Sequence, residues 1–211
     1  NYRQIWTESG SPLKVITEQQ VEALQAYLDT INDVDKANGV PLVRYAMTYG
    51  NPSLSSTIET MRSQGIEKIL VLPLYPQYSA TTTGAIYDQC ADIVKTTRNI
   101  PDIRVVKQYF DRHDYIAALK ESIQHHWKVQ GQGERLLMSF HGIPQRCIDF
   151  GDPYYDQCVA TSHALAEALG LSSSQWSMSF QSRLGAAQWL QPYTDVTLKQ
   201  WANEGIESVD V

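Results

Sequence analysis

An open α/β fold with mostly parallel sheet, in two halves over residues 1–130 and 131–211, is predicted by three observations. Strand-length apolar runs alternate about six times with segments of helical periodicity. Two runs, IEKILVLPL (66–74) and RLLMSF (135–140), read as the largely apolar strands that cover on both faces requires. A polar, glycine-containing break at 130–133 separates the halves. Such alternation places helices on both faces of crossover-connected strands.

The elements follow in order. Thr17-Glu18-Gln19-Gln20 fits a capping box, and Val21, Leu24, Leu28 and Ile31 follow at helical spacing, so a helix is expected over about 18–32. LVRYAMTYG (42–50) alternates Val43, Tyr45 and Met47 as a strand does, and GNPS turns the chain. Leu54, Ile58 and Met61 share one face of a helix near 54–64, with Gly65 as its stop. After the strand at 66–74, Ile86, Cys90, Ile93 and Val94 mark a helix, Ile103 to Val106 a short strand, and Ile116, Leu119 and Ile123 another helix. Beyond RLLMSF come a helix near 154–169 ended by Gly170, the strand WSMSF, a helix near 195–203 and the strand-like ESVDV.

Seventeen Lys and Arg against 23 Asp and Glu give a net charge of −6, which argues against binding nucleic acid by broad phosphate neutralisation. The apolar candidate at 69–74 is far too short to span a bilayer and is interrupted by Pro73. The opening NYRQIWTESGSP has no apolar signal region, and three widely spaced cysteines, Cys90, Cys147 and Cys158, speak for a reducing compartment, so a cytoplasmic protein is expected.

In open parallel sheets ligands bind beyond the carboxyl ends of the strands. Three strand ends here are unusual: 72–84 (LPLYPQYSATTTG), 138–144 (MSFHGIP) and 179–192 (SFQSRLGAAQWLQP). His141 directly follows a buried-type strand and is flanked by Gly142 and Pro144, which puts an imidazole on a stiff turn at the mouth of the sheet. An imidazole there can take a proton or ligate a metal. His113, His125, His126 and His163 sit in polar helical contexts and read as solvated faces. The YPQYS loop is rigid and aromatic without a charged group, which suits stacking on a flat apolar ligand, or simple packing. GxGxxG, GxxxxGK[ST], CxxC and GxSxG are all absent, which disfavours nucleotide, zinc-ribbon and α/β-hydrolase readings.

The strings LVLPLYPQYSATTTGA, SFHGIPQRC, GDPYYDQC and SFQSRLGAAQWLQPYT, in this order, closely resemble the ferrochelatases, which insert ferrous iron into protoporphyrin IX to make haem. YRQIWTESGSPL resembles the same family's early segment, so the resemblance covers essentially the whole chain and is nearest to the bacterial type.

The resemblance implies two Rossmann-like, chelatase-type domains without the dinucleotide fingerprint, with the porphyrin in a cleft. It implies that His141 accepts a pyrrole proton or helps hold iron, and that Arg44 and Tyr45 belong to the cleft wall. Tyr75 and Tyr78 match the loop tyrosines, Gln181 and Ser182 the residues near a propionate, and Trp189 the tryptophan facing the macrocycle. Aromatic walls bury and bend a flat macrocycle, exposing the pyrrole nitrogens to a base.

The implied partners are protoporphyrin IX and Fe²⁺, the iron being substrate. No cofactor is required, and peripheral membrane association is left open. A [2Fe–2S] cluster is not expected, although Cys147 or Cys158 matches the middle region that supplies one cluster cysteine in some relatives. The family's leading strand, and a glutamate that works beside the histidine, are expected to lie outside these residues. Two other readings stand beside this one: a tetrapyrrole-binding protein without catalysis, and a chelatase for another metal and macrocycle.

Overall fold

The computed structural model describes Trp6, Glu8 and residues 10–31 and 39–211. Most of the early motif at 2–9 and the expected helix end at residue 32 lie outside the described residues. The chain divides into two compact units, one of residues 1–69 and 89–103, the other of 70–88 and 104–211.

In the first unit, helix α1 runs Pro12–Ile31 and so starts well before the expected residue 18. The capping box misleads because Thr17 Oγ1 donates back to Leu13 O at 2.7 Å within the helix, the bond a hydroxyl makes when it does not cap. The first turn instead uses Pro12, whose fixed φ suits that position, and Ser11 O accepts from Val15 N at 3.0 Å. Helix α2, Leu54–Ser63, starts where expected because Ser53 Oγ accepts from Ser56 N, and Leu54 and Ile58 are buried.

The strand expected at 42–50 does not form. Val43 N donates to Gln25 Oε1 of α1 at 2.8 Å, and only an isolated bridge, Met47 to Ser53, follows. Alternation supplies a face, but a strand also needs a neighbour's backbone, and a side chain has taken that bond.

Strand β1 is Lys68–Val71 and pairs with β2, Asp102–Val105. Asp102 N donates to Glu67 O and Val106 N to Val71 O, an advance in step that marks parallel strands. β1 departs from the expected two-sided burial: Ile69 is buried but Leu70 is 68% exposed. A π-helical turn, Ala80–Gly84, leads into α3, Ala85–Thr96.

The second unit contains α4 (His113–Gln130), β3 (Arg135–His141), α5 (Gln145–Asp149), α6 (Tyr154–Leu169), β4 (Trp176–Gln181), α7 (Thr194–Asn203) and β5 (Val209–Asp210). Its sheet has the order β4-β3-β5 and is parallel, with Leu136 opposite Trp176 and His141 opposite Gln181. Side chains alternate across it. Leu136 and Met138 pack with Leu165 and Ala166 of α6 and against Leu119 and Ile123 of α4. On the other face Ser139 and Ser179 both reach Thr194 of α7 at 2.8 Å. Helices therefore cover both faces of a parallel sheet, as the strand–helix alternation predicts. Asp210 closes the sheet's far end by accepting from Trp127 Nε1 at 2.6 Å and Gly133 N at 2.9 Å.

Candidate active site

His141 and Gln181 are the last residues of β3 and β4 and lie opposite each other, so the parallel register delivers both to one mouth. The loops that follow are zipped together. Gly142 N donates to Gln181 O at 2.8 Å, Leu190 N to Ile143 O at 3.0 Å and Gln145 N to Gln188 O at 2.9 Å, which sets Trp189 opposite Pro144. The indole is fixed by its Nε1–H bond to Leu184 O at 2.9 Å.

Ser182, directly after β4, holds φ at +68°, a left-handed conformation costly to a residue with a Cβ and commonest where a site dictates the backbone. Arg183 is held beside it, stacked 4.2 Å from the Tyr193 ring centroid and bonded to Asp195 at 3.0 Å.

The His141 ring is exposed, and its Nδ1 lies 2.8 Å from Gly142 O. A carbonyl only accepts, so Nδ1 carries the hydrogen, and in the neutral ring the lone pair sits on Nε2. His141 O accepts from Tyr154 Oη at 2.9 Å. Burial pushes that phenol far above its usual range, which keeps it protonated and donating.

The tyrosine loop after β1 belongs to the same unit. Tyr75 is exposed; Tyr78 is half-buried, with Lys107 Nζ 5.0 Å from its ring centroid. The loop is pinned from α6 and the residues just before it: Tyr78 N donates to Gln157 Oε1 at 2.7 Å, Gln77 Nε2 to Thr161 Oγ1 at 2.9 Å, and both Ser79 Oγ and Ala80 N to Asp152 Oδ2 at 2.8 Å. Tyr78 also borders a cleft of about 380 Å³ with Ala80, Gly84, Tyr87, Asp88 and Lys107, which His141 does not line.

Sequence reasoning missed Asp152 and Gln157 as holders of this loop. GDPYYDQC stood out as a string, but its partners lie more than 70 residues away.

Six of the sequence-singled residues, His141, Tyr75, Tyr78, Gln181, Ser182 and Trp189, thus lie in the second unit. Arg44 and Tyr45 lie in the first. There Arg44 Nη1 donates to Val43 O at 2.8 Å, and Tyr45 Oη donates to Glu18 Oε1 at 2.6 Å, a bond that raises the phenol's pKa.

His125 and His126 are exposed, as expected, whereas exposed His163 stacks edge-on against Trp176 at 5.1 Å. Burial pushes the Cys158 thiol up to about 12, and Cys90 is buried as well. Among the described residues no group of three or more His, Cys, Asp or Glu is placed to hold a metal ion, and no helix is long and apolar enough to cross a membrane.

The family model for ferrochelatase matches residues 1–211. The chain belongs to the ferrochelatase family. It is 48% identical over 211 residues to a ferrochelatase of Aeromonas hydrophila, 47% over 211 residues to ferrochelatase 1 of Shewanella oneidensis and 44% over 210 residues to a ferrochelatase of Nitrosococcus oceani. Each match covers the whole of this chain and, respectively, 63%, 61% and 55% of the ferrochelatase it matches. The chain thus spans about three fifths of the length of these relatives.

Proposed function

We propose that the full-length protein is a ferrochelatase, inserting Fe²⁺ into protoporphyrin IX and releasing two protons. The observation that carries this reading is the exposed His141 imidazole at the strand mouth, its Nδ1 occupied by Gly142 O and its Nε2 lone pair free, beside Gln181, Ser182 and the indole of Trp189. Replacing two pyrrole N–H protons by a divalent ion leaves the macrocycle charge unchanged, so the reaction needs a base and a surface that bends the ring rather than a redox partner.

His141 Nε2 accepts a pyrrole proton and passes it to water, or faces the incoming iron. Trp189, Tyr75 and Tyr78 supply the aromatic wall. Gln181 and Ser182 offer donors to a propionate, and Arg44 and Tyr45 of the first unit are assigned to porphyrin binding. Two Rossmann-like domains, 1–130 and 131–211, form the scaffold in this reading. No resident cofactor is assigned.

The experiment is anaerobic incubation of the full-length protein with protoporphyrin IX and Fe²⁺, following the porphyrin absorbance and the protons released. Haem with two protons per iron supports the reading. Tight porphyrin binding without metal insertion overturns it in favour of a tetrapyrrole-binding protein, and preference for another ion or macrocycle overturns the iron assignment.

A further inference from the structure

We propose that Asp152, just before α6, and Tyr154, its first residue, are positioning residues that couple the tyrosine loop to the histidine turn, and so set how the aromatic wall stands relative to the proton acceptor. The proposal rests on the ferrochelatase reading for its catalytic readout.

Asp152 is divided between two jobs. Its Oδ2 accepts from Ser79 Oγ and Ala80 N, each at 2.8 Å, and its Oδ1 accepts from Tyr154 N at 3.1 Å. Tyr154 then reaches across with Oη to His141 O at 2.9 Å. Four hydrogen bonds and one aromatic side chain thus run from the loop carrying Tyr75 and Tyr78 to the backbone of His141. Ser79 is wholly buried and Tyr154 is 9% exposed, so water competes poorly for the bonds these two side chains make, whereas the Ala80 bond is exposed.

Both ends are stiff. Asp152 N is itself held by Cys147 O at 3.0 Å, and the Tyr154 ring packs in the cluster of Ile143, Cys158, Phe180 and Leu190. Neither residue has to touch substrate for this role.

The two links predict different kinetic signatures. Asp152→Ala frees the loop, so the KM for porphyrin should rise about tenfold with kcat changed less than about threefold, the scale of losing charge-assisted bonds that act on binding alone. Asp152→Asn, which keeps one acceptor oxygen for Ser79 and Ala80, should recover most of that loss. Tyr154→Phe keeps the ring packed but releases the His141 carbonyl, and should lower kcat about tenfold with the porphyrin KM within about twofold.

The test is steady-state metal insertion by the full-length protein and these variants, together with amide hydrogen exchange at 78–80 and thermal melting. Ser79→Ala is included as a gentler cut of the same link. Faster exchange at 78–80 in Asp152→Ala and Ser79→Ala, with the KM and kcat effects separating as described, supports the proposal. Unchanged exchange and KM, or joint losses that merely follow the fall in melting temperature, overturn it. If the unmutated protein inserts no metal while exchange at 78–80 still responds to both Asp152→Ala and Tyr154→Phe, the ferrochelatase reading fails and the coupling stands.

Discussion

Gly142 stands so close to its neighbours that an added Cβ would lie 2.8 Å from Gln181 O and 3.4 Å from Trp189 Cε3. The oxygen belongs to the backbone that receives the Gly142 N–H bond, so it cannot retreat without loosening the β3–β4 register beside His141. Gly142→Ala is expected to cost about 1–3 kcal/mol, the range for overpacking a filled site, read from urea unfolding of the full-length protein. An unchanged midpoint would mean the turn can open. His141 itself was legible in the sequence, because a buried-type run ending in His-Gly-Ile-Pro leaves the imidazole little choice but the sheet mouth. Its tautomer was not legible, since that depends on where one carbonyl points after folding. Asp152 was equally hidden: a carboxylate two residues before Tyr154 reads as a helix-start acid, and only the fold reveals that Ser79 arrives there.

Among the elements, α6 concentrates what the sequence could state and what it could not. Its span was expected closely, because the helical pattern ends at Gly170, where φ is +72°. That its first turn holds a distant loop required tertiary structure. α1 formed but began earlier than expected, because a serine and proline outcompeted an apparent capping box, and the strand expected after it did not form, because an alternating segment gave its backbone bond to Gln25.

The buried titratable groups of α6 make a prediction at this scale. Burial raises the Cys158 thiol from 9 to about 12 and lifts the Tyr154 phenol as well, so the fold favours both neutral forms. Their contribution to stability is complete below the unfolded values, and it is lost as pH rises from about 9 toward 12. The melting temperature should therefore hold between about pH 7 and 8.5 and fall across that alkaline window, with a shallower fall in Cys158→Ala than in the parent. A parallel fall in the two proteins would show that Cys158 contributes nothing to the alkaline loss.

For the molecule as a whole, the parallel, doubly covered sheet of residues 131–211 followed from strand–helix alternation alone. The first unit was less legible because its apolar pattern is only partly buried. α1 leaves Leu13, Ile16, Leu24, Tyr27 and Ile31 exposed. Clustered apolar surface of this kind drives association. The isolated 211-residue polypeptide is expected to self-associate as concentration rises in analytical ultracentrifugation, and Leu24→Glu with Tyr27→Glu should reduce it. A monomer at every concentration would contradict this view of the α1 surface.

In the proposed reaction His141 moves the proton while the surrounding wall binds the macrocycle, and this separation can be measured in one experiment. In full-length protein carrying His141→Ala, Zn²⁺ insertion into porphyrin is followed by absorbance while porphyrin binding is titrated by fluorescence quenching. The expected result is an insertion rate reduced by at least about a hundredfold, the lower range for losing a general base, with the porphyrin dissociation constant within about threefold of the parent. Insertion at a near-parental rate in the mutant would contradict the assignment of His141.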